Sequence, residues 1–212
     1  MQGQGPTKII CVGRNYAEHA SELGNAVPEK LLYFLKPPSS LLGNGGNVVL
    51  PAGVGRVDCE GELGVVIGKR TKNIGEQDAM QSVKGYVVCD DVTARDIQTA
   101  AKRKGEPWTV SKGYDTFFPA TDMVPAASAI DIRSLGIETK VNGEIRQRGN
   151  TSDMIFSISS IISTVSTVMT LEDGDIIATG TPAGVSPIKA GDTVEVKIEG
   201  IGTLKHGVVS SV

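Results

Sequence analysis

The triplet Glu60-Gly61-Glu62, followed further along the chain by Asp91, is the part of the sequence whose side chains best suit chemistry. Residues two apart on a strand point to the same face, so a strand over 57–67 would place the two glutamates side by side. Asp91 ends a second apolar run, YVVCDD. Carboxylates that converge repel one another unless a cation lies between them, and Mg²⁺ prefers such oxygen ligands. A pair of solvated glutamates on an edge strand is the alternative, since acidic residues are mostly exposed. The glycines around the pair favour the metal site.

The composition limits the class of protein. The length of 212 residues fits a single domain over 1–212, and the net charge of −3 gives no basic surface for nucleic acid. We find no apolar run long enough to span a membrane and no signal peptide. The cysteines, 3 in number, include no CxxC pair, which favours small buried hydrophobic residues over a zinc site. We therefore expect a cytoplasmic protein with neither nucleic-acid nor membrane partners.

The order of the elements predicts a mostly-β (α+β) fold. We expect a strand over 8–13, a helix from Asn15 with a capping box to Glu18, and a helix over 94–105. Asn142-Gly143 is a strong hairpin signal, and apolar residues recur at helical spacing over 155–169. Together these signals predict a rolled or barrel-like sheet with a few peripheral helices.

Three further side chains could serve catalysis. His19 and Glu22 share one face of the first helix, where an acidic neighbour would orient the imidazole as a base. The alternative for this pair is a solvated surface contact. Lys112 lies in WTVSK, which we interpret as part of a strand, and there it would ordinarily be a surface charge. His206 lies in a C-terminal strand far from these motifs, and we expect it to be structural.

Five motifs, none specific alone, run along the chain in a fixed order. They are GRNY (13–16), ExEL (60–63), DxTxRDxQ (91–98), SKxxD (111–115) and TGTPxGV (179–185). In this combination the chain resembles the fumarylacetoacetate hydrolase superfamily, and in particular its single-domain branch that hydrolyses acylpyruvates and decarboxylates oxaloacetate. The resemblance implies a mixed β-roll, a homodimer, and a bound Mg²⁺ or Mn²⁺.

The resemblance also assigns roles to individual residues. It places the metal on Glu60, Glu62 and Asp91, and the activation of water on the pair His19 and Glu22. It gives Lys112 the task of contacting the substrate and stabilising an oxyanion. The remaining positions that it implies lie on the substrate side: Gln98, Arg14, Tyr16 and Thr181.

Three functions remain open from the sequence. The first is a Mg²⁺-dependent hydrolase that cleaves a C–C bond in acylpyruvate-type 2,4-dioxo acids and also decarboxylates oxaloacetate. The 2-oxo-carboxylate head shared by these substrates can chelate the cation, which acts as a Lewis acid. The second is an isomerase or decarboxylase of aromatic catabolism, acting on 2-hydroxyhepta-2,4-diene-1,7-dioate or 5-carboxymethyl-2-oxo-hex-3-ene-1,7-dioate. The third is a non-catalytic, metal-stabilised binding protein, because a fold does not guarantee a function.

Overall fold

The computed structural model describes residues 5–22, 24, 26–127 and 131–211, so the two ends of the predicted 1–212 domain lie outside the described residues. The strands are β1 (Ile9–Gly13), β2 (Leu32–Lys36), β3 (Leu41–Gly43), β4 (Asn47–Leu50), β5 (Val57–Cys59), β6 (Gly61–Ile67), β7 (Val83–Asp90), β8 (Thr93–Ala94), β9 (Phe118–Ala120), β10 (Val124–Pro125), β11 (Gly136–Val141), β12 (Glu144–Asn150), β13 (Ile176–Ala178), β14 (Ser186–Ile188), β15 (Thr193–Ile198) and β16 (Gly202–Ser210). The helices are α1 (Ala17–Glu22), α2 (Arg95–Lys104), α3 (Thr109–Lys112) and α4 (Ile158–Val168), with 3-10 helices at Pro38–Ser40, Glu76–Ser82 and Thr151–Asp153.

The strands among the described residues form three sheets. The largest has the order β2-β1-β13-β6-β7-β9-β3, with β10 also paired to β7. A second sheet has the order β12-β11-β15-β16-β4, and a small third sheet has the order β14-β5-β8. Most neighbours are antiparallel, but β1 runs parallel to β13, β3 to β9 and β16 to β4. The predicted mostly-β fold with a mixed, curved sheet and few helices is therefore confirmed.

The core lies between the large sheet and the second sheet, whose strands β11, β15 and β16 pack across β6 and β7. Every residue of β6 is buried, so this strand is covered on both faces. Its sequence is accordingly almost entirely apolar or glycine except for Glu62. The apolar face of α4 carries Ile161, Ile162 and Val165, and this helix packs on the 3-10 helix Glu76–Ser82. The two strands next to the acidic motif, β6 and β7, therefore lie in the middle of the large sheet and pack against the second sheet.

Several local predictions are confirmed. The Asn142-Gly143 turn joins β11 to β12, which pair in an antiparallel hairpin. The helices expected over 94–105 and within 155–169 are α2 and α4. The left-handed backbone of Gly105 (φ 69°) closes α2, because its N–H caps carbonyls of the last turn and glycine adopts this conformation without steric cost.

Three local predictions are wrong. The segment 57–67 is two strands rather than one, because the chain leaves the ladder at Glu60. The segment around Lys112 is a helical turn, α3, and not a strand. Asn15 does not cap α1: its side chain is bonded to the backbone of Phe156 and to the carbonyl of Thr179, so it ties two distant loops together.

No helix among the described residues is long and apolar enough to cross a membrane. All three cysteines are free and buried, as expected from their apolar surroundings.

Candidate active site and metal centre

The three acidic residues of the sequence motif converge in the structure. Glu60 lies between β5 and β6, Glu62 is on β6, and Asp91 directly follows β7. Because β6 and β7 are antiparallel neighbours with Gly61 opposite Asp90, the end of one strand meets the start of the other. One carboxylate oxygen from each of the three acids lies within 4.8 Å of the others, and all three residues are buried. The exposed-edge alternative is therefore excluded by burial.

Backbone contacts around Gly61 explain why the chain presents both glutamates here. The N–H of Glu60 donates to Asp90 Oδ1 at 2.6 Å instead of to a strand, and the N–H of Gly61 donates to Gln147 Oε1 at 2.9 Å. A Cβ on Gly61 would lie 2.2 Å from Thr139 Oγ1. Only glycine allows β11 to approach this closely.

Three buried cations pair with two of the three acids, Glu60 and Asp91. Lys112 Nζ donates to Glu60 Oε2 at 2.9 Å and to Asp91 Oδ2 at 2.6 Å. Lys36 Nζ donates to Asp91 Oδ1 at 2.5 Å, and Arg95 donates to Glu60. Burial alone would raise the pKa of Glu60, but the charges of Lys112 and Arg95 outweigh it and hold that pKa well below its usual range. Glu60 is therefore ionised at neutral pH.

Glu62 has a different environment. Within the described residues no cation pairs with it, and its Oε2 accepts only the N–H of Gly180 at 2.7 Å. Burial, together with the negative charges of Asp91 and Glu60, raises the pKa of Glu62 well above its usual value. A divalent cation among these carboxylates would remove that repulsion. The all-oxygen donor set fits a hard cation such as Mg²⁺ or Mn²⁺.

The His19–Glu22 pair lies on α1 at the side of this cluster. His19 Nδ1 is 3.4 Å from Glu22 Oε2, and both carboxylate oxygens of Glu22 accept the N–H of Gly184 at 3.1 Å. Burial lowers the pKa of His19, partly opposed by the charges of Glu60 and Glu22. His19 is thus neutral near pH 7 and able to accept a proton.

One pocket collects most of the candidate residues. It is lined by eight of them: Arg14, His19, Glu60, Glu62, Asp91, Gln98, Lys112 and Thr181.

The remaining two candidates, Tyr16 and Glu22, do not line the pocket. Tyr16 is buried in the core, and its hydroxyl has no partner among the described residues. Thr181 does line the pocket, but its hydroxyl donates to the carbonyl of Gly61 and accepts from Gln147. Its first role is therefore to fix the loop after β13 against the acidic strand.

Comparison with known protein families identifies the family of this chain. The sequence profile described as "Fumarylacetoacetate (FAA) hydrolase C-terminal" matches residues 8–209. The chain belongs to the fumarylacetoacetate hydrolase family. The resemblance drawn from the five motifs is confirmed.

Relatives within the fumarylacetoacetate hydrolase family carry names for different reactions. The mitochondrial oxaloacetate tautomerase FAHD1 of Homo sapiens is 48% identical over 193 residues, covering 91% of this chain and 87% of the human protein. The crystal structure of fumarylpyruvate hydrolase from Pseudomonas aeruginosa, in complex with Mn²⁺ and pyruvate, superposes with a TM-score of 0.94 at 32% identity, covering 100% of this chain and 93% of that one. The 5-carboxymethyl-2-hydroxymuconate delta-isomerase of Mycobacterium smegmatis gives a TM-score of 0.88 at 41% identity, covering 98% and 80%.

This member of the fumarylacetoacetate hydrolase family also uses residues that sequence reasoning missed. Lys36 and Gln147 are fully or almost fully buried and contact the acidic strands directly. A lysine that closes an apolar strand just before Pro37-Pro38 was the available signal for Lys36; nothing in the sequence marked Gln147.

The prediction that His206 is remote from the motifs is wrong. His206 Nε2 lies 2.9 Å from Asp90 Oδ2, and the other oxygen of Asp90 accepts the N–H of Glu60. Asp90 points away from the pocket, as strand alternation requires, toward this histidine on β16. The Asp90–His206 pair therefore supports the backbone at Glu60 from the side that faces away from the pocket.

Proposed function

We propose that this chain is a Mg²⁺- or Mn²⁺-dependent enzyme of 2-oxo acids that hydrolyses the C–C bond of acylpyruvate-type 2,4-dioxo acids. Glu60, Glu62 and Asp91 would hold the cation, which when bound supplies Lewis-acid polarisation of the substrate's 2-oxo group. The observation that carries the proposal is the presence, in one pocket, of this buried carboxylate cluster together with a neutral His19 and Lys112.

His19 is placed to act as the base. Its Nδ1 faces Glu22, so the Nδ1–H donates to that carboxylate and Nε2 is left to accept a proton from water. The water oxygen adds to the distal carbonyl carbon, and the C–C bond to the methylene group then breaks. The methylene carbon takes up the proton that His19 removed from water, so one water and one dioxo acid give one carboxylic acid, which ionises to its carboxylate by releasing a proton, and one pyruvate.

Lys112 would stabilise the oxygen of the attacked carbonyl. An ammonium group has three N–H donors, and two of those on Lys112 are bonded to Glu60 and Asp91. The third is available to the pocket, next to the ring of Phe34, whose centroid lies 4.8 Å away. Such a donor is worth about 3–4 kcal/mol of barrier in other acyl-transfer sites.

A second activity, on oxaloacetate, is favoured by the 48% identity to an oxaloacetate tautomerase. Interconverting keto and enol forms, or releasing CO₂, needs a cation and a proton carrier but no activated water. We propose that the same pocket carries out this chemistry, without the water activation that hydrolysis requires of His19.

The test is a product assay by NMR on acetylpyruvate and on oxaloacetate, with Mg²⁺ and again with a chelator. Metal-dependent formation of acetate and pyruvate from acetylpyruvate is the expected result. The variant His19→Ala should lose this hydrolysis while retaining more of the oxaloacetate reaction. If acetylpyruvate yields no acetate, the hydrolase proposal is wrong and the decarboxylase or isomerase reaction takes its place. A metal-induced rise in melting temperature with no turnover of either acid would identify a non-catalytic binding protein.

A further inference from the structure

A single buried amide, that of Gln147 on β12, lies where two parts of the site meet. The side chain is fully buried and does not line the pocket. Its Oε1 accepts the N–H of Gly61 at 2.9 Å. Its Nε2 donates to Thr181 Oγ1 at 2.7 Å and to the carbonyl of Pro182 at 2.8 Å. Gln147 therefore connects the acidic strand β6 to the loop 179–185, which joins β13 to β14.

An amide group is the chemistry that these three contacts require. Its oxygen accepts one hydrogen bond and its two N–H groups donate one each, so both N–H groups of the Gln147 side chain are used. An ionised carboxylate of the same length could accept from Gly61 but could not donate to the carbonyl of Pro182. An aliphatic side chain would leave that carbonyl and the Gly61 N–H buried without this partner, which is unfavourable. The residue type therefore indicates a hydrogen-bonding role at this position.

Gly61 is held on both sides by these contacts. Its N–H, which belongs to the peptide that joins it to Glu60, is bonded to Gln147. Its carbonyl, which belongs to the peptide that joins it to Glu62, accepts the Thr181 hydroxyl at 2.9 Å. Since Thr181 is itself bonded to Gln147, one pair of side chains fixes the two peptide planes between the glutamates. The directions of both carboxylates depend on this pair.

The loop between β13 and β14 contacts two acids that have different proposed roles. The N–H of Gly180 donates to Glu62 Oε2 at 2.7 Å. The N–H of Gly184 donates to both carboxylate oxygens of Glu22 at 3.1 Å, and Glu22 in turn lies 3.4 Å from His19 Nδ1. The same loop therefore contacts one proposed metal ligand and the partner of the proposed base.

This loop also packs closely against β12. A Cβ on Gly184 would lie 2.0 Å from the carbonyl oxygen of Arg146, and a Cβ on Gly149 would lie 2.6 Å from Pro182 Cβ. The loop and the strand approach this closely only because both positions are glycine. Gln147 lies between these two contacts along β12. Its hydrogen bonds therefore join a loop that is already packed on the strand to β6.

We propose that Gln147 is a positioning residue for both metal binding and water activation. Through the backbone of β6 it directs Glu60 and Glu62 toward the cation. Through the loop between β13 and β14 it holds Glu22 beside His19. The inference rests on the proposed function, which assigns these roles to the acids and the histidine. Metal binding and water activation are then coupled by a side chain that does not line the pocket.

Calorimetric titration with Mg²⁺ tests the effect on metal binding without any substrate. Gln147→Met keeps the approximate length and bulk of the side chain but removes all three hydrogen bonds. We expect it to raise the Kd for Mg²⁺ about 10- to 100-fold, the usual cost of losing a contact that supports a metal ligand. Thr151→Val is the matched control, because the Thr151 hydroxyl is also buried and also bridges two backbone groups, those of Leu135 and Ile132, outside the pocket. It should keep the wild-type Kd.

The ratio of the two proposed activities tests the effect on water activation. At a saturating concentration of Mg²⁺, hydrolysis of acetylpyruvate needs Glu22 and His19 in place, whereas the reaction of oxaloacetate needs no activated water. Gln147→Met should therefore lower kcat for hydrolysis about tenfold more than kcat for oxaloacetate. A loss of folded protein lowers both rates equally, so a merely structural role leaves their ratio unchanged. Thr151→Val should keep the wild-type ratio.

A double-mutant cycle on Mg²⁺ affinity tests the coupling itself. Glu22→Ala removes a negative charge and also releases the loop at Gly184. The effect of the charge is the same with or without Gln147, but the effect of the loop is transmitted fully only while Gln147 joins the loop to β6. We therefore expect Glu22→Ala to raise the Kd at least about threefold more in the wild type than in Gln147→Met, a coupling typical of residues in one network. Equal effects in the two backgrounds would overturn the coupling.

The outcomes separate this proposal from the proposed function. In Gln147→Met, an unchanged Kd with an unchanged activity ratio would overturn the positioning role and leave the proposed function standing, and a change in only one of them would overturn the coupling. A wild type that binds no Mg²⁺ would overturn both proposals. A wild type that binds Mg²⁺ but yields no acetate would overturn the hydrolase, while the titration and the cycle still decide the role of Gln147. If Gln147→Met fails to fold, Thr181→Val gives the same test, because it removes the hydroxyl that joins Gln147 to the carbonyl of Gly61. A wild-type Kd in that variant would overturn the positioning role.

Discussion

At the scale of single residues, Lys112 is the side chain whose role is most sharply defined by its contacts. It is 2% exposed and bonded to both Glu60 and Asp91. Burial alone would lower the pKa of Lys112, but the two carboxylates outweigh it and raise that pKa above its usual value. It is therefore a permanent cation, suited to hydrogen bonding and not to proton abstraction. Its positive charge also disfavours the binding of a metal cation to the same two carboxylates.

Replacing Lys112 by methionine should separate catalysis from metal binding. We expect turnover of acetylpyruvate to fall about 10²–10³-fold, the usual cost of losing one oxyanion donor. Affinity for Mg²⁺ should stay the same or increase, because a competing positive charge has been removed. Steady-state kinetics and a Mg²⁺ titration of both proteins measure this, with Lys104→Met as the control. Unchanged turnover would remove Lys112 from the mechanism.

The pH dependence of hydrolysis should report His19. Its pKa lies below the ordinary 6.5 because burial disfavours the imidazolium. Protonation removes the base, so kcat/KM for acetylpyruvate should fall below that pKa and level off above it. Glu22 raises the pKa of His19, so Glu22→Gln should move the acid limb to lower pH. A shift toward higher pH, measured at constant Mg²⁺, would contradict this arrangement.

At the scale of elements, the close approach of β11 to the acidic strand determines where the two glutamates point. A methyl group at Gly61 would overlap the side chains of Thr139 and Val196. The turn at Glu60 and the strand that carries Glu62 are both attached to this residue. Packing at one glycine therefore controls the separation of two proposed metal ligands.

The variant Gly61→Ala should lose both stability and metal affinity. Overpacking of a well-packed core costs about 1–3 kcal/mol of the free energy of unfolding, and the displaced strand should weaken Mg²⁺ binding. The matched control is Gly43→Ala, because a Cβ there meets nothing within 4 Å and the backbone has no positive φ. Thermal unfolding and a Mg²⁺ titration measure both effects. Equal behaviour of the two variants would show that the contact with Thr139 is unimportant.

Local patterns predicted much of the fold and of the site, and the misses have a common physical cause. The hairpin at Asn142-Gly143 and the helix α2 follow from short-range rules, because the residues that decide them are neighbours in sequence. The break at Glu60 does not, since it is imposed by Asp90 and Gln147, which lie in other strands. His206 was misjudged for the same reason: its partner is 116 positions away.

At the scale of the whole molecule, the carboxylate cluster links metal binding to global stability. The three acids lie on or directly next to the central strands β6 and β7, so any unfolding of the large sheet separates them. A ligand that binds only the folded chain stabilises it according to its concentration. The homodimer implied by the family resemblance and the cytoplasmic location stay predictions.

Mg²⁺ should raise the melting temperature, and a chelator should reverse the effect. At a concentration a hundredfold above Kd the gain is about 2.7 kcal/mol, or roughly 5–10 °C for a chain of this size. Asp91→Asn should abolish the Mg²⁺-induced rise, whatever its own melting temperature. Asp173→Asn, at an exposed residue paired with Lys84, should keep it. A rise that persists in Asp91→Asn would place the cation elsewhere.

The contact between Asp90 and His206 also bears on how the chain acquires its activity during synthesis. The strands β6 and β7 leave the ribosome long before β16. Until β16 has been made, Asp90 lacks its contact with His206, and the carboxylate cluster lacks the support that this contact gives. Contacts between residues so far apart in sequence form slowly, because closing the long intervening loop costs entropy before any interaction compensates for it. Ion loading is therefore expected to be a late event, after translation has passed His206, and a nascent chain arrested before β16 should be unable to retain the cation.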